Sequence, residues 1–318
     1  EISNVESQSI YFYKSNNFTA ESNVLSSGYD GIYCYNSLLG IIKNNIVKSC
    51  SHFGLYLSSG SANVDITKNV VIESSFGLYI SGDNNTVMNN SLILNKMGAK
   101  LTASSEGNLV VYNDFIENLD QAQDDGTGNL FSLNVLSVYF GNYWSDYSGT
   151  DVLDPIGFGD TPYDAILGGS GNSDEYPLMT PWNTEAIVPP TISHPADLVY
   201  TVGTSGHVVA WSGSSLIPNS YTVSINGSVI KTGIWDGQVI IASVDGLPVG
   251  VYSVKCTFID KLGQSTSDIV QVTVAQVGGS TGTTTTTQPE TSTGTGPAGN
   301  FDPIPSFMFG MLSSLGLV

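Results

Sequence analysis

Arginine is absent from this chain of 318 residues. The nine basic residues are all Lys, and they face 28 acidic ones for a formal net charge of -19. Nucleic-acid binding relies on clustered Lys and Arg that neutralise phosphates, so that function class is excluded. Two-point recognition of a carboxylate or phosphate needs the guanidinium fork, which argues against polyanionic uronate polymers as substrates. Charge of either sign is scarce, at 12% of residues against 41% hydrophobic. That balance can bury a sizeable core and excludes disorder of the whole chain. An amphipathic helical stretch of about 12 residues or more is also missing. The polar remainder is rich in Asn, Ser, Gly and Thr, which favour strands and turns over helices. Cysteine is limited to Cys34, Cys50 and Cys256. An odd number without a CxxC pair gives no disulfide framework, and all three are expected to be small buried hydrophobes.

No apolar run reaches the roughly 20 residues that span a bilayer. The stretch Phe307 to Val318 is apolar but shorter, and the chain starts at Glu1 without Met. The expectation is truncation at both ends, with a signal lost upstream and a membrane helix cut downstream.

What the chain does have is repetition. Gly31, Gly54, Gly77 and Gly98 each open a short alternating segment, in steps of 23, 23 and 21 residues. A second register, Asn45, Asn69, Asn90 and Asn113, steps by 24, 21 and 23. Two markers sharing one period, with strand-like alternation and no helical stretch, predict an all-β parallel β-helix. Equivalent residues then pile into inward columns. One is Ile32, Leu55, Leu78 and Ala99; the next is Cys34, Leu57, Ile80 and Leu101. The Asn residues belong at a bend between strands, where Asn tolerates left-handed backbone and stacked amides bond one another. The residues between the two columns point outward: Tyr33, Tyr56, Tyr79 and Lys100. Three Tyr on one outer face are ordinary strand residues that stack on their neighbours, and they are also the candidate platform for a sugar ring.

After the last repeat come Gly141-Asn-Tyr-Trp-Ser-Asp-Tyr-Ser-Gly149, then Gly159-Asp-Thr-Pro-Tyr163 and Asn172-Ser-Asp-Glu-Tyr-Pro-Leu-Met179. With the repeats, these strings resemble the NosD-type right-handed parallel β-helix of exported archaeal and bacterial proteins. The resemblance covers about residues 1–183 and implies that 141–183 closes the open end of the coil. Trp144, Tyr147, Tyr163, Tyr176 and Leu178 are the candidate lid, because a terminal turn would otherwise expose strand groups and apolar side chains. Relatives often carry an Asp-rich, calcium-like run between these strings. Here only Asp151, Asp154 and Asp160 remain, and Leu153 and Pro155 break the spacing. Calcium takes about six to eight oxygens, so a turn-rich cap without cofactor is expected and calcium is the lesser reading. The family name comes from a copper-enzyme maturation protein. Copper needs clustered His, Met or Cys; His52, His194 and His207 are far apart, and no copper site is expected.

Residues 184–196, with Pro189, Pro190 and Pro195, read as a linker. From 197 to 276, strand-like segments recur every 8 to 12 residues, with the hairpin signal Asn226-Gly227. Ala210-Trp211, Trp235, Leu247 to Tyr252 and Asp260 to Gly263 resemble the Ig-like repeats of archaeal cell-surface proteins, which implies a β-sandwich acting as spacer or binding module. Residues 277–300 are rich in Thr, Gly, Ser and Pro, cannot build a core, and read as an extended stalk. Residues 301–318 read as the start of a truncated membrane anchor. Asn17, Asn84, Asn89 and Asn226 stand in N-glycosylation sequons.

These features converge on a non-catalytic protein anchored at the cell surface, binding neutral glycans or surface proteins, or building a surface layer. Its acidic charge keeps it soluble by self-repulsion. The alternative is a polysaccharide hydrolase or lyase, since glycoside hydrolysis needs paired carboxylates. Asp114, Glu117, Asp124 and Asp125 near the end of the repeat array are its candidates.

Overall fold

Ile32 pairs with Leu55, Leu55 with Leu78 and Leu78 with Ala99, each in parallel register. Every repeat therefore lies directly on the one before. The computed structural model describes residues 1–153 and 156–276, and the chain divides into two units between Ala186 and Ile187. The expected stalk and membrane anchor lie outside the described residues.

The first unit is a β-solenoid with three parallel sheets. Sheet A has seven strands, from Ile2–Ser3 to Tyr143–Trp144. Sheet B has six, from Gln8–Tyr13 to Asp120–Asp124, and sheet C five, from Thr19–Glu21 to Leu109–Val111. The first five coils each contribute one strand to each sheet. Sheet B buries both predicted columns, including Cys34, and sheet A adds Leu25, Val47, Val71, Leu92 and Phe115. Sheet C adds Ile42, Ile66, Val87 and Val110. Burying one such side chain contributes about 1.5–3 kcal/mol, and each added coil extends all columns at once.

The chain turns between sheets through residues of left-handed conformation, one at most corners, with Lys14 and Asn36 as a second such residue after the first two strands of sheet B. After sheet A these are Asn4, Ser27, Ser49, Glu73, Leu94 and Glu117. After sheet B they are Asn17, Leu39, Asn63, Asn84, Gly107 and Gly128, and after sheet C they are Ser22, Asn44, Lys68, Asn89 and Tyr112. A non-glycine residue in that region costs about 1–2 kcal/mol. At the corners after sheet C the following residue bonds strongly to its neighbours. Asn45, Asn69, Asn90 and Asn113 are fully buried, and in each step the amide oxygen accepts both the main-chain N–H and the Nδ2–H of the Asn one coil earlier. Asn23 opens this ladder and Asn142 closes it. A second ladder runs Asn85, Asn108, Asn129, and a third Ser74, Asn95, Asn118. Buried polar groups left unpaired are costly; here each one finds its partner in the next coil.

The glycine column has a different cause. A Cβ at Gly54 would sit 2.7 Å from the Gly77 carbonyl oxygen, and one at Gly77 would sit 2.5 Å from that of Gly98. Adjacent coils approach too closely there for any side chain.

The second unit is also all-β. Leu198–Thr201, Ser265–Ala275, Gly250–Asp260, Pro218–Ile225 and Ser228–Ile234 form a five-stranded sheet in that order. Val208–Trp211 and Ile240–Ser243 form a two-stranded one. Seven strands thus lie between Leu198 and Ala275. Their shared core holds Trp211, Trp235, Cys256 and Phe258, with the Trp235 and Phe258 rings parallel at 4.1 Å.

Candidate functional site

Because side chains alternate across a strand, the residues between the two buried columns of sheet B form an outer row. It runs Tyr11, Tyr33, Tyr56, Tyr79, Lys100, Gln123 in strict register. Tyr33, Tyr56 and Tyr79 are half-buried. Tyr33 and Tyr56 lie face to face, with centroids 4.4 Å apart and planes at 12°. Tyr11 covers the other side of Tyr33 at 5.1 Å, and Tyr79 meets Tyr56 edge-on at 5.3 Å. The rings thus stack on their neighbours along the sheet. Strands about 4.8 Å apart bring successive rings into stacking range, so much of each face is covered by its neighbour.

The aromatic surface is wider than the sequence reading allowed. Tyr13 and Tyr35 form a second, parallel pair at 5.4 Å. Phe53 also lies beside the row, 4.6 Å from Tyr56 and 4.4 Å from Tyr79. Phe76 lies 5.3 Å from Tyr79. Period alone, applied to Tyr11 and to the pair Phe53 and Phe76, would have found these residues. Burial, with the neighbouring phenols, pushes the Tyr33 hydroxyl well above its usual range, and burial raises that of Tyr56. Both remain neutral donors and acceptors. At the far end the row turns polar: Lys100 Nζ donates to Gln123 Oε1 at 3.1 Å and pairs with Asp125 at 3.7 Å.

Of the four candidate catalytic carboxylates, two are fully buried. Asp114 is fully buried and accepts the main-chain N–H groups of Trp182 and Asn183 at 2.6 and 2.9 Å. Burial raises its pKa to about 6, against the pull of those bonds. Asp124, also fully buried, accepts from Gly126 N, Asn129 Nδ2 and Asn172 Nδ2. Asp125 takes Gln123 Nε2 at 2.8 Å besides Lys100. Glu117 is an exposed corner residue. Asp114 and Asp124 thus tie the cap to the solenoid.

Of the calcium candidates, Asp154 lies outside the described residues. Asp160 accepts from Thr150 Oγ1, Val152 N and Leu153 N, and the two main-chain bonds hold its pKa below the usual range. Asp151 accepts from Gly157 N at 2.9 Å. Both carboxylates shape the local loop.

The lid residues divide into two groups. Trp144 lies flat on Phe115 at 4.2 Å, and Tyr163 lies flat on Trp144 at 4.2 Å, continuing the interior column of sheet A by two rings. Tyr147 packs beside them. Leu178 pairs in parallel beside Tyr143 at the open edge of sheet A, and its side chain joins a cluster with Met88, Val111, Tyr112 and Phe140, while Tyr176 touches Tyr139. Asp174, which the sequence reading passed over, is fully buried beneath the lid. It accepts from Asn142 N at 2.6 Å, Trp144 Nε1 at 2.9 Å and Tyr176 N at 3.0 Å, and burial raises its pKa to about 7.

Residues 1–149 match the family described as periplasmic copper-binding protein (NosD). The NosD match covers the coils and ends on the Gly149 that closes the first lid string. Comparison with curated proteins gave no match. A solved fibronectin(III)-like module of Clostridium thermocellum CbhA is 20% identical over 28% of this chain and 96% of its own, with a TM-score of 0.22. A score that low carries no structural argument.

The copper in the NosD description was tested against the donors present. Among the described residues no group of three or more His, Cys, Asp or Glu is placed to hold a metal. Cys34 and Cys50 are core residues whose thiols burial pushes up, that of Cys50 to about 11. Metal ligation needs a thiolate. His52 lies 3.3 Å from Asp30 and stacks on Phe53. The described residues do not fit a copper site of the kind NosD is named for.

Proposed function

We propose that this is a non-catalytic protein of the cell envelope that binds neutral glycan through the outer face of sheet B. The second unit is an Ig-like spacer, and the protein is held at the cell surface. The observation that carries the reading is the register row Tyr11, Tyr33, Tyr56, Tyr79, ending in Lys100 and Gln123. Aromatic edges and neutral hydroxyls followed by an ammonium and an amide offer both apolar and hydrogen-bonding contacts to a polyhydroxylated chain. The envelope location draws on the periplasmic description of the NosD family and on the acidic charge. The Ig-like reading draws on the seven strands in two sheets. The engagement of Asp114 and Asp124 with main-chain and amide donors supports the absence of catalysis.

A glycan array tests this reading directly. Weak binding to neutral chains is expected, each aromatic contact contributing about 0.5–1.5 kcal/mol before association costs. Tyr56→Ala and Tyr79→Ala should each lower it severalfold. Binding that survives both changes would move the site elsewhere. Reducing ends that accumulate with wild type and not with Asp124→Asn would overturn the non-catalytic reading.

A further inference from the structure

The four sequons are equivalent as sequence and unlike as structure. Asn17 is exposed at a corner of the solenoid, with no described partner for its side-chain amide. Thr19 of the same sequon is exposed too, while Phe18 between them points into the core. Asn226 is exposed at the tip of the hairpin between Pro218–Ile225 and Ser228–Ile234. Its Oδ1 accepts Ser253 N at 2.9 Å, which fixes the amide and leaves Nδ2 without a described partner, and Ser228 is exposed. The other two sequons are closed. Thr86, the hydroxyl residue of the Asn84 sequon, is 4% exposed. Asn89 has a buried Oδ1, and Ser91 of its sequon is fully buried, donating to Asp114.

A second feature separates the same two pairs. The Asn17 sequon runs alongside exposed apolar residues: Asn17 N donates to Leu38 O, and Thr19 pairs with Ile41. Leu38, Leu39 and Ile41 are 37%, 56% and 41% exposed. The Asn226 sequon leads into Ser228–Ile234, which pairs on one side only and exposes Val229, Ile230 and Ile234. That strand has one charged side chain, Lys231, which turns aside to bond Ile241 O. An apolar edge strand without Pro, bulk or free charge is open to pairing with other chains. By contrast, the corner next to Asn84 carries Glu106 and Gly107.

We infer that Asn17 and Asn226 carry N-linked glycans, that Asn84 and Asn89 do not, and that each glycan shields the apolar patch beside its sequon. In the transfer, Asn Nδ2 forms a bond to the anomeric carbon of an oligosaccharide held on a lipid phosphate. The bond from that carbon to the phosphate oxygen breaks, the phosphate leaves with the electron pair, and the amide proton passes to a base of the transferase. The inference takes from the proposed function only its location outside the cytoplasm.

Protein isolated from its native cells decides the matter by peptide mass spectrometry after fractionation. Peptides holding Asn17 and Asn226 should carry sugar, and those holding Asn84 and Asn89 should be bare. Bare peptides at Asn17 and Asn226 overturn the inference, as does equal occupancy at all four. If the protein fractionates with the cytoplasm, the location has failed along with it; if it fractionates with the envelope and is bare, only the inference has. Thr19→Ala and Ser228→Ala remove the sequons without touching either Asn. Each should raise binding of a hydrophobic dye severalfold and promote self-association; unchanged dye binding with lost sugar overturns the shielding role.

Discussion

The indole of Trp144 lies parallel to the ring of Phe115, with centroids 4.2 Å apart and planes at 10°. Phe115 is the last interior residue of the coils on sheet A, and Trp144 comes from the terminal segment. The lid is therefore one more rung of the same column, made by a segment that no longer repeats. Trp144→Ala should remove that rung and free the second Asp174 oxygen from its indole donor, costing about 3–5 kcal/mol. Chemical denaturation of the variant against wild type measures this. A loss below about 1 kcal/mol would show that the coil end closes without it.

The amide ladder makes a sharper demand. Asn69 accepts two bonds from Asn45 and gives one each to Ile42 O and Asn90 Oδ1 through Nδ2. Asn69→Ala leaves several buried groups unpaired, each costing about 1–3 kcal/mol. The expected loss is about 3 kcal/mol or more, with no change at the Tyr surface. Asn69→Asp keeps the shape but loses the donors, and should be nearly as damaging. An Asn69→Ala protein with unchanged melting would show that water serves the corner equally well.

Asp114 and Asp174 give a pH signature. Burial raises both, to about 6 and about 7. A folded-state pKa above the unfolded value means that the folded form binds the proton more tightly. Their contribution is thus fully present below about pH 4 and is lost as pH rises through about 6 and 7. Unfolding measured across that range should show stability declining toward neutral pH, and Asp174→Asn should flatten the upper part of the slope. A slope unchanged by that substitution would place the titration elsewhere.

Glu117 offers a stabilising change. It is exposed and holds a φ of 50° at a corner. Glu117→Gly should relieve about 1 kcal/mol of left-handed strain, less whatever freedom the glycine adds to the unfolded chain. A raised melting temperature with unaltered glycan binding is the expected result, and a lowered one would count against strain at this corner.

How far the sequence spoke can be judged residue by residue. Gly54 and Gly77, and Asn69 and Asn90, advertise the coil because only those types fit their positions, and they recur in phase. Leu39, Glu73, Leu94 and Tyr112 hold equivalent left-handed corners and announce nothing, since no side chain chemistry marks the need. Stacking in the Tyr row was legible as register, but the covering of one ring by the next depends on the coil spacing. Asp174 looked like an ordinary turn residue in Asn172-Ser-Asp-Glu; its burial follows from a chain segment 30 residues from Trp144 folding back over it. The segment singled out by the family resemblance holds Trp144 and Tyr163, which extend the sheet A column, and Leu178, which pairs beside Tyr143.

The direction of the Asn bonding has a consequence for how such a molecule can change in length. From Asn45 to Asn113 each amide oxygen receives from the Asn one coil earlier, and each Nδ2 gives to the Asn one coil later as well as to a carbonyl of the coil before. Differences of a few residues are absorbed between strands, since ladder steps of 24, 21 and 23 residues keep one register, but loss of a whole strand from a coil interrupts its sheet and the ladder beside it. A whole coil, added or removed, preserves them, and moves the lid by one strand spacing of about 4.8 Å. The solenoid is a ruler graduated in whole coils, and the length of the Tyr row is read off on the same scale.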